Sequence, residues 1–409
     1  MSRPSHNLPT RDKPQLLLSF WAKLGSATYP ESFHPLLFHL LDVAAVARQL
    51  WDEVLHRPVK ARFAAAIGLT QDECAPWVAF WVGAHDIGKA SPAFQSQGKS
   101  APFTDALRHA GFDFLHTENV PHGTVSVPVL YQWLMGCKLP NSTARRMAQA
   151  VGGHHGVFPD AKCFTLGTRD LGNKLWCAKR TVILDRLAEL LGVPRDRPPQ
   201  AGDGADQSYL MVLAGLTTVA DWVGSNQEFF RPTGNAQHWS DESEQRVLDY
   251  FALAQAKATE AVQQLGWLRS KAAIQQPLFL DLFRFLKLPG MRPLQRAASA
   301  MASTLDRPTL VLVEAPMGEG KTEAALYLAD AWERQGGQGM YVALPTMATS
   351  NGMFTRFEHF LREAYRLRRH STPPQIGYQK ELFGVQPTAD GYSFLNHLKG
   401  PHAPSMGSF

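Results

Sequence analysis

An apolar run of this sequence ends in Val82-Gly-Ala-His-Asp-Ile-Gly-Lys89, where a histidine directly precedes an aspartate. If the stretch is helical, Lys89 lies at i+4 from His85 and at i+3 from Asp86. An imidazole, a carboxylate and an ammonium group would then share one edge of the helix. Such a cluster is unfavourable in an apolar core but suits a metal ion, so the stretch predicts a metal site.

The composition is that of a soluble globular protein, with 409 residues, 44% hydrophobic and 19% charged. This length predicts two or three domains. The net charge of +5 is compatible with a polyanionic partner. The four cysteines form no C-x-x-C pair, which argues against a disulfide framework or a thiolate zinc knuckle and fits a reducing compartment. Without a secretory signal or a bilayer-spanning apolar run, we expect a cytoplasmic protein with no membrane partner.

The first two-thirds of the chain is predicted to be mainly α-helical. Thr70-Gln-Asp-Glu73 is a capping-box pattern that begins a helix running into His85. Further helical patterns cover residues 36–47, 122–133, 145–151, 209–222 and 244–265, with Pro128 kinking or starting the second of these. Residues 193–206 read as a flexible loop.

Ligand-type side chains recur within or beside these helices, at His39, His85, Asp86, His122, His154, His155 and Asp221. A single histidine such as His39 is more often a core residue with a satisfied ring, and the alternative for the histidines at 154 and 155 is a surface turn. His109 and His116 are alternatives to His122. Asp221 is the only charge of its predicted helix, so it should face a cation or several donors.

Imidazole and carboxylate ligands without thiolates favour Mn, Fe, Co, Ni or Zn, whereas Mg is less suited to so many nitrogens. The set is too large for one tetrahedral ion and fits two ions that share Asp86. Paired ions cleave phosphodiesters because they activate water and stabilise the charge that develops on phosphorus. Lys89 would neutralise that charge or protonate the leaving oxygen. The alternative for Lys89 is a solvated helix end.

These residues resemble the HD metal-dependent phosphohydrolase superfamily. Four sequence segments resemble those of the type I CRISPR nuclease–helicases, which the Cascade surveillance complex recruits. They lie around His39 and at His85–Gln95, Gly152–Gly156 and Ala220–Asn226. The resemblance implies one ion held by His39, His85, Asp86 and Asp221, and a second held by Asp86, His122, His154 and His155. Ser225, at i+4 from Asp221, would join the first ion's ligands or support them. The resemblance also implies that 193–206 is a loop inside the nuclease domain.

The later part of the chain predicts an α/β unit with a nucleotide-binding loop. Strands are predicted at Thr309–Val313 and Gly339–Leu344, and helices at 323–332 and 348–365. Between the first strand and its helix lies Glu314-Ala-Pro-Met-Gly-Glu-Gly-Lys-Thr322, a P-loop with Ala315 where the strict pattern has glycine. That form is typical of superfamily 2 helicases.

The predicted ATP-binding residues are Gln295, Gly318, Glu319, Gly320, Lys321 and Thr322. Lys321 would reach the β- and γ-phosphates and Thr322 would hold Mg²⁺, while Gln295 resembles the glutamine that reads adenine. Pro345 and Thr346 resemble a motif that contacts the DNA backbone, although an ordinary strand-to-loop junction explains them equally well.

The predicted organisation is an HD-type nuclease domain at 1–286, a linker at 287–293 and a partial RecA-like domain at 294–409. No D-E-x-[DH] strand or second RecA-like domain follows, so we expect a truncated, split or cut helicase whose remainder a separate chain could supply. ATP would bind weakly, without driving unwinding. Robust DNA-stimulated ATP hydrolysis would contradict this.

The resemblance implies a metal-dependent nuclease of antiviral CRISPR defence that degrades single-stranded DNA displaced in the R-loop. By the same resemblance, the chain also carries the start of an ATP-dependent 3′-to-5′ helicase. One alternative is an HD phosphohydrolase acting on nucleotides, which the P-loop argues against. Another is a degenerate fragment that retains only DNA or Cascade binding.

Overall fold

The structure is a computed structural model, which describes residues 18–25, 32–97, 101–114, 120–201, 206–232, 234–235, 244–268, 276–307, 309–334, 342, 347–367, 387–388 and 391–392. Backbone contacts divide the chain into two compact units, Met1–Gln264 and Leu265–Phe409. None of the described helices is both long and apolar enough to cross a bilayer.

The first unit is mainly helical. Its helices are α1 (Leu36–Gln49), α2 (Arg57–Ile67), α3 (Gln71–Gly83), α4 (Pro92–Gln95), α5 (Ala101–His109), α6 (His122–Gly136), α7 (Asn141–Gly152), α8 (Thr168–Leu171), α9 (Lys174–Leu190), α10 (Ser208–Gly224) and α11 (Glu244–Gln264). A π-helical turn covers Leu50–Val54, and 3₁₀ helices cover Ala84–Lys89 and Ala161–Thr165. Strands β1 (Trp21–Leu24), β2 (Ser32–Pro35) and β3 (Gly234–Asn235) form an antiparallel sheet in that order.

Helix α1 lies at the centre of the first unit, since every residue from Leu36 to Ala47 is buried. It packs against α3, α10 and α11. At Gly83 an added Cβ would lie 2.8 Å from the Ala44 Cβ, so the absence of a side chain there permits α3 to approach α1 closely. The all-round burial of α1 confirms the predicted buried helix and places its polar residues in the core.

Helix α3 begins as the capping box predicts. The Thr70 hydroxyl accepts a hydrogen bond from the Glu73 amide at 3.2 Å, and the Thr70 amide donates to the Glu73 carboxylate at 2.9 Å. The α-helix ends at Gly83, however, and a tighter 3₁₀ helix continues through Lys89. The expected α-helical spacing of Lys89 from His85 is therefore wrong, while its i+3 relation to Asp86 is kept.

Helix α6 begins at His122 and contains Pro128 in its interior, so of the two predicted alternatives the helix does not start at the proline. The predicted helices within α7, α10 and α11 are confirmed.

The described part of the predicted flexible loop, residues 193–201 and 206, belongs to the first unit and is tied to it by several bonds. Arg197 forms an ion pair with Glu73 at 2.6 Å. The Gln200 amide donates to the Ile67 carbonyl at 2.9 Å, and the Thr143 hydroxyl donates to the Ala201 carbonyl at 2.8 Å. Residues 202–205 lie outside the described part of the chain.

The described elements of the second unit are mostly helices: α12 (Phe279–Leu282), α13 (Pro293–Ala302), α14 (Lys321–Arg334) and α15 (Met347–Leu367). A 3₁₀ helix covers Arg284–Leu286, and β4 (Pro387–Thr388) pairs with β5 (Gly391–Tyr392) in an antiparallel hairpin. One hydrophobic core joins α12, α13, α14 and α15 through Leu282, Ala298, Tyr327 and Phe360.

The predicted strand at Thr309–Val313 is wrong, since these described residues form no strand. Leu310 and Leu312 are 87% and 82% exposed, whereas Val311 packs against the core of its unit. The side chains therefore alternate as in a strand, but no described strand pairs with this segment. The second predicted strand, Gly339–Leu344, lies outside the described residues except for residue 342. The parallel sheet of the predicted RecA-like domain is thus not observed in the described residues.

The division between the two units precedes the predicted linker. Phe279, Leu282 and Phe283 are buried in the core that α13 and α14 build, so residues 279–286 pack with the second unit. The proline and glycine content of 287–293 predicts a linker, but the segment leads into α13 within one unit.

Candidate metal centre

The structure brings all the predicted metal ligands together in the first unit. They come from five places: α1 (His39), the 3₁₀ helix after α3 (His85 and Asp86), the first residue of α6 (His122), the turn after α7 (His154 and His155) and the last turns of α10 (Asp221). The ligand atoms form two groups, within each of which they lie no more than 4.8 Å apart. One group is His39, His85, Asp86 and Asp221, and the other is His122, His154 and His155.

Asp86 lies between the two groups and turns one oxygen toward each. Its Oδ2 is 3.0 Å from His39 Nε2 and 3.3 Å from His85 Nε2. Its Oδ1 is 3.1 Å from His122 Nε2 and 3.4 Å from His154 Nε2. Asp221 Oδ1 completes the first group at 3.4 Å from His85 Nε2. The arrangement lets one carboxylate serve two cations.

Backbone hydrogen bonds orient two of the imidazoles. His85 Nδ1 lies 3.0 Å from the Val82 carbonyl, and His154 Nδ1 lies 3.0 Å from the Val151 carbonyl. A carbonyl only accepts, so Nδ1 carries the proton in each ring. The lone pair of Nε2 is then free to face the centre, as in metal-binding histidines generally.

The donor set fits divalent metal ions. His85 Nε2, His154 Nε2 and Asp86 Oδ1 are buried, and no described group makes a hydrogen bond to them. Burying unpaired polar atoms costs free energy, and here their lone pairs converge within a few ångströms. A cation bound among them removes that cost, whereas a water molecule cannot satisfy so many acceptors.

The electrostatics of the centre favour bound cations. Burial opposes ionisation of Asp86, but the charges of His85, Lys89 and His122 hold its pKa well below the usual value. Burial likewise disfavours a charged His85, yet Asp86 and Asp221 raise its pKa to about 10. The carboxylates thus attract a positive charge, and metal binding would displace that proton. Burial, followed by the charges of His154 and His122, lowers the pKa of His155 to about 4, which keeps it neutral and able to bind a metal.

Lys89 contacts the shared carboxylate directly, since its Nζ is 2.6 Å from Asp86 Oδ2. It also lies over the Phe94 ring, 5.4 Å from the centroid. Lys89 is only 9% exposed, so the alternative of a solvated helix end is wrong.

Gly88 permits the close packing that brings His122 to Asp86. An added Cβ at Gly88 would lie 2.0 Å from the His122 carbonyl oxygen and 2.6 Å from the Ser126 nitrogen. The Gly88 amide donates to Ser126 Oγ at 2.9 Å. A side chain at this position would push the start of α6 away from Asp86.

Ser225 follows α10 and contacts Asp221 as its spacing predicted. Its hydroxyl donates to Asp221 Oδ1 at 2.8 Å. This bond favours the supporting role over the alternative of a further metal ligand, because it orients the carboxylate from the side.

Sequence reasoning missed two features beside the centre. Asp42 is fully buried in α1, where it pairs with His34 Nε2 at 2.8 Å and accepts from the Tyr250 hydroxyl at 2.8 Å. Its charge within an apolar helix was the same signal that singled out Asp221. Lys23 on β1 donates to the Ser225 carbonyl at 3.1 Å, and burial together with the charge of Lys89 lowers its pKa to about 8. No sequence pattern marked Lys23.

In the second unit, the predicted nucleotide loop contacts Gln295 through Gly320. Gly318 and Gly320 have positive φ angles of 84° and 79°. An added Cβ at Gly320 would lie 2.2 Å from Gln295 Nε2, so the buried glutamine lies against the loop. Lys321 donates to the Pro316 carbonyl at 2.9 Å, and Arg292 lies 3.8 Å from Glu319. Thr322 follows in α14, whereas Pro345 and Thr346 lie outside the described residues.

Comparison with known proteins decides the family, since the profile described as "Cas3, HD domain" matches residues 21–230, a span that holds both ligand groups. The chain belongs to the Cas3 HD domain family. It is 37% identical, over 84% of its length, to the CRISPR-associated endonuclease/helicase Cas3 of Thermus thermophilus, and 27% identical to the Cas3 proteins of Streptococcus thermophilus and Escherichia coli. It spans 36 to 39% of the length of these relatives.

Solved structures agree with this assignment. A crystal structure of a CRISPR-associated protein superposes with a TM-score of 0.71 at 40% identity, covering 85% of this chain and 38% of that one. The ATP-bound Cas3 of T. fusca gives a TM-score of 0.66 at 27% identity, covering 87% and 38%. The mainly helical first unit therefore has the Cas3 HD fold, and its His and Asp clusters are the candidate site for divalent metals.

Proposed function

We propose that this chain is a metal-dependent nuclease that hydrolyses single-stranded DNA in type I CRISPR interference. The observation that carries the proposal is the position of Asp86, whose Oδ2 faces one ligand group and whose Oδ1 faces the other. A shared carboxylate between two cation sites is the arrangement that phosphodiester hydrolysis uses. The relatives named endonuclease/helicase support the same activity.

In this proposal His39, His85 and Asp221 hold one divalent ion, while His122, His154 and His155 hold the other. When bound, the ion pair supplies Lewis-acid activation of water and stabilises charge on phosphorus. The predominance of imidazole favours Mn, Fe, Co, Ni or Zn over Mg. Asp86 fixes the spacing of the two sites, and Ser225 holds the Asp221 carboxylate in place.

Lys89 would act on the phosphate from beside Asp86. Its ammonium has three donors, of which one is used on Asp86 Oδ2. The remaining donors can bond phosphate oxygens and stabilise the charge of the transition state. Its contact with the Phe94 ring limits where the ammonium can move.

The partners we propose are single-stranded DNA and an RNA-guided surveillance complex with its R-loop. One similar solved chain, with a TM-score of 0.54 and 27% identity, covers 83% of this chain and is described as an RNA-guided surveillance complex before nicking. The setting would be cytoplasmic. For the second unit we propose binding of ATP with Mg²⁺ at Gln295, Lys321 and Thr322, as the beginning of a 3′-to-5′ helicase motor.

The competing candidate is hydrolysis of free nucleotides by the same centre. The two are separated by incubating the protein with a single-stranded oligonucleotide and with dNTPs, each with Mn²⁺ or Co²⁺. We expect cleavage of the oligonucleotide and its loss in Asp86→Asn, which keeps the side-chain shape but removes the shared charge.

Release of phosphate from dNTPs alone would favour the competing candidate. Equal cleavage by Asp86→Asn would show that the activity arises elsewhere. DNA binding without turnover of either substrate would favour a non-catalytic role.

A further inference from the structure

Lys23 lies at the Asp221 side of the metal centre. It belongs to β1, is part-buried, and donates from Nζ to the main-chain oxygen of Ser225 at 3.1 Å. The Ser225 hydroxyl in turn donates to Asp221 Oδ1 at 2.8 Å. The ammonium is therefore separated from a candidate metal ligand by a single residue, Ser225.

The ammonium of Lys23 has donors to spare. An ammonium group carries three N–H donors, and one of these bonds the Ser225 oxygen. Among the described residues no carboxylate forms an ion pair with it, whereas Lys89 pairs with Asp86 at 2.6 Å. Asp221, Asp42 and Asp86 act on Lys23 without forming a direct ion pair, so an anion bound beside the ammonium would offset part of the free energy that its burial costs.

Gln95 fixes the backbones of both lysine positions. This fully buried amide accepts from the Trp21 nitrogen at 3.2 Å and donates to the Trp21 oxygen at 2.9 Å. The same nitrogen donates to the Lys89 oxygen at 3.0 Å. One side chain thus ties β1, two residues before Lys23, to the end of the 3₁₀ helix, so the backbones from which the two lysine side chains extend are held together.

We infer that Lys23 is a further phosphate-binding residue of this centre. Its free donors bond one oxygen of the phosphodiester from beside Asp221, while the free donors of Lys89 bond another oxygen from beside Asp86. A phosphate bonded by both lysines is then oriented as well as attracted, which is how positioned donors contribute to phosphoryl chemistry. This inference rests on the proposed nuclease function, because it assigns Lys23 to the same substrate.

A purely structural role makes a different prediction. A lysine at the C-terminus of a helix can stabilise the helix by bonding its last carbonyls. Were this its only role, loss of the ammonium would lower stability or metal content and leave the affinity for phosphate of the metal-loaded protein unchanged.

The test compares Lys23→Gln, Lys23→Arg and Lys60→Gln in the full chain loaded with Mn²⁺. Lys60 is the matched control, since its Nζ donates to the main-chain oxygen of Asp52 at 3.2 Å. Metal content is measured by elemental analysis, inorganic phosphate binding by calorimetry, and oligonucleotide cleavage as kcat/KM. We expect full metal content throughout and a ~10-fold loss in phosphate affinity and kcat/KM for Lys23→Gln, the effect of one charge-assisted hydrogen bond. Lys23→Arg should restore most of the loss.

Equal phosphate affinity in Lys23→Gln and the unaltered protein would overturn the inference. If Lys23→Gln loses more Mn²⁺ or thermal stability than Lys60→Gln, the inference is overturned as well. Such a loss would show that Lys23 stabilises the end of helix α10 and does not bind phosphate. An unaltered protein that binds phosphate but leaves DNA intact would instead refute the nuclease function, and the phosphate comparison would still decide the role of Lys23.

Discussion

At the scale of single residues, Asp42 shows what a buried carboxylate requires when no metal is involved. Both of its oxygens have partners, His34 on one side and the Tyr250 hydroxyl on the other. Asp86 and Asp221 instead face imidazole nitrogens whose lone pairs converge. The difference in partners, rather than the presence of a buried acid, distinguishes structural support from a metal centre.

Tyr250→Phe should destabilise the first unit by about 1–3 kcal/mol, because it leaves one buried Asp42 oxygen without its donor. The ring remains stacked on Phe38, with centroids 3.8 Å apart, so only the hydroxyl is lost. The measurement is the free energy of unfolding in urea. The control is Tyr131→Phe, which removes an exposed hydrogen bond from Asn141. An equal loss in both variants would contradict the proposed support of Asp42.

At the scale of elements, the sequence predicted the helices but not how they end. Apolar periodicity and a capping box identified α1, α3 and α10, because these signals are local. The change to a 3₁₀ helix at Ala84 depends on the packing of Gly88 against the start of α6, which is a contact distant in sequence. The prediction of a strand at Thr309–Val313 is wrong for the same reason, since a strand requires a neighbouring strand that the local pattern does not specify.

The candidate site was predictable to a similar degree. Ligand-type residues in apolar surroundings pointed to all the members of the two groups, and the family resemblance implied their division. Lys23 could not be found in this way, because a lysine on a short strand is ordinary until the fold brings it beside Ser225. Tyr250 was likewise hidden within an amphipathic helix, whose buried face includes many residues of no chemical role.

The capping box of α3 also makes the stability of the fold depend on pH. Bonds from the Thr70 amide, from Arg197 and from the Thr70 hydroxyl lower the pKa of Glu73 to about 2, below its ordinary value of 4.5. A carboxyl whose folded-state pKa is depressed stabilises the fold above its unfolded pKa, and this stabilisation is lost as pH falls toward the folded value. The window therefore extends from about pH 4.5 down to about pH 2.

We expect the stability difference between the unaltered protein and Glu73→Gln to be full at neutral pH and to shrink steadily across this window. Urea unfolding at several pH values measures it. In an Arg197→Gln background the difference should be smaller but still present, since the Thr70 amide, the larger cause, remains. A difference that stays constant from pH 7 to pH 2 would contradict the assigned role of Glu73.

At the scale of the whole molecule, metal binding should act on one unit and not on the other. The ligands come from five separate places of the first unit, so the site exists only when that unit is folded. Among the described residues of the second unit no such cluster occurs. A ligand that binds only the folded state raises stability by RT ln(1 + [L]/Kd), about 2.7 kcal/mol at a hundredfold excess over Kd.

Differential scanning calorimetry with increasing Mn²⁺, and again after chelation by EDTA, should therefore move the transition of the first unit and leave that of the second in place. Asp86→Asn identifies the metal-dependent transition, because removing the shared charge should abolish most of its shift. A shift of equal size in Asp86→Asn would place the bound metal elsewhere. A shift of both transitions together would show that the two units unfold as one, since stabilisation of a single folding unit cannot otherwise raise the midpoint of the second.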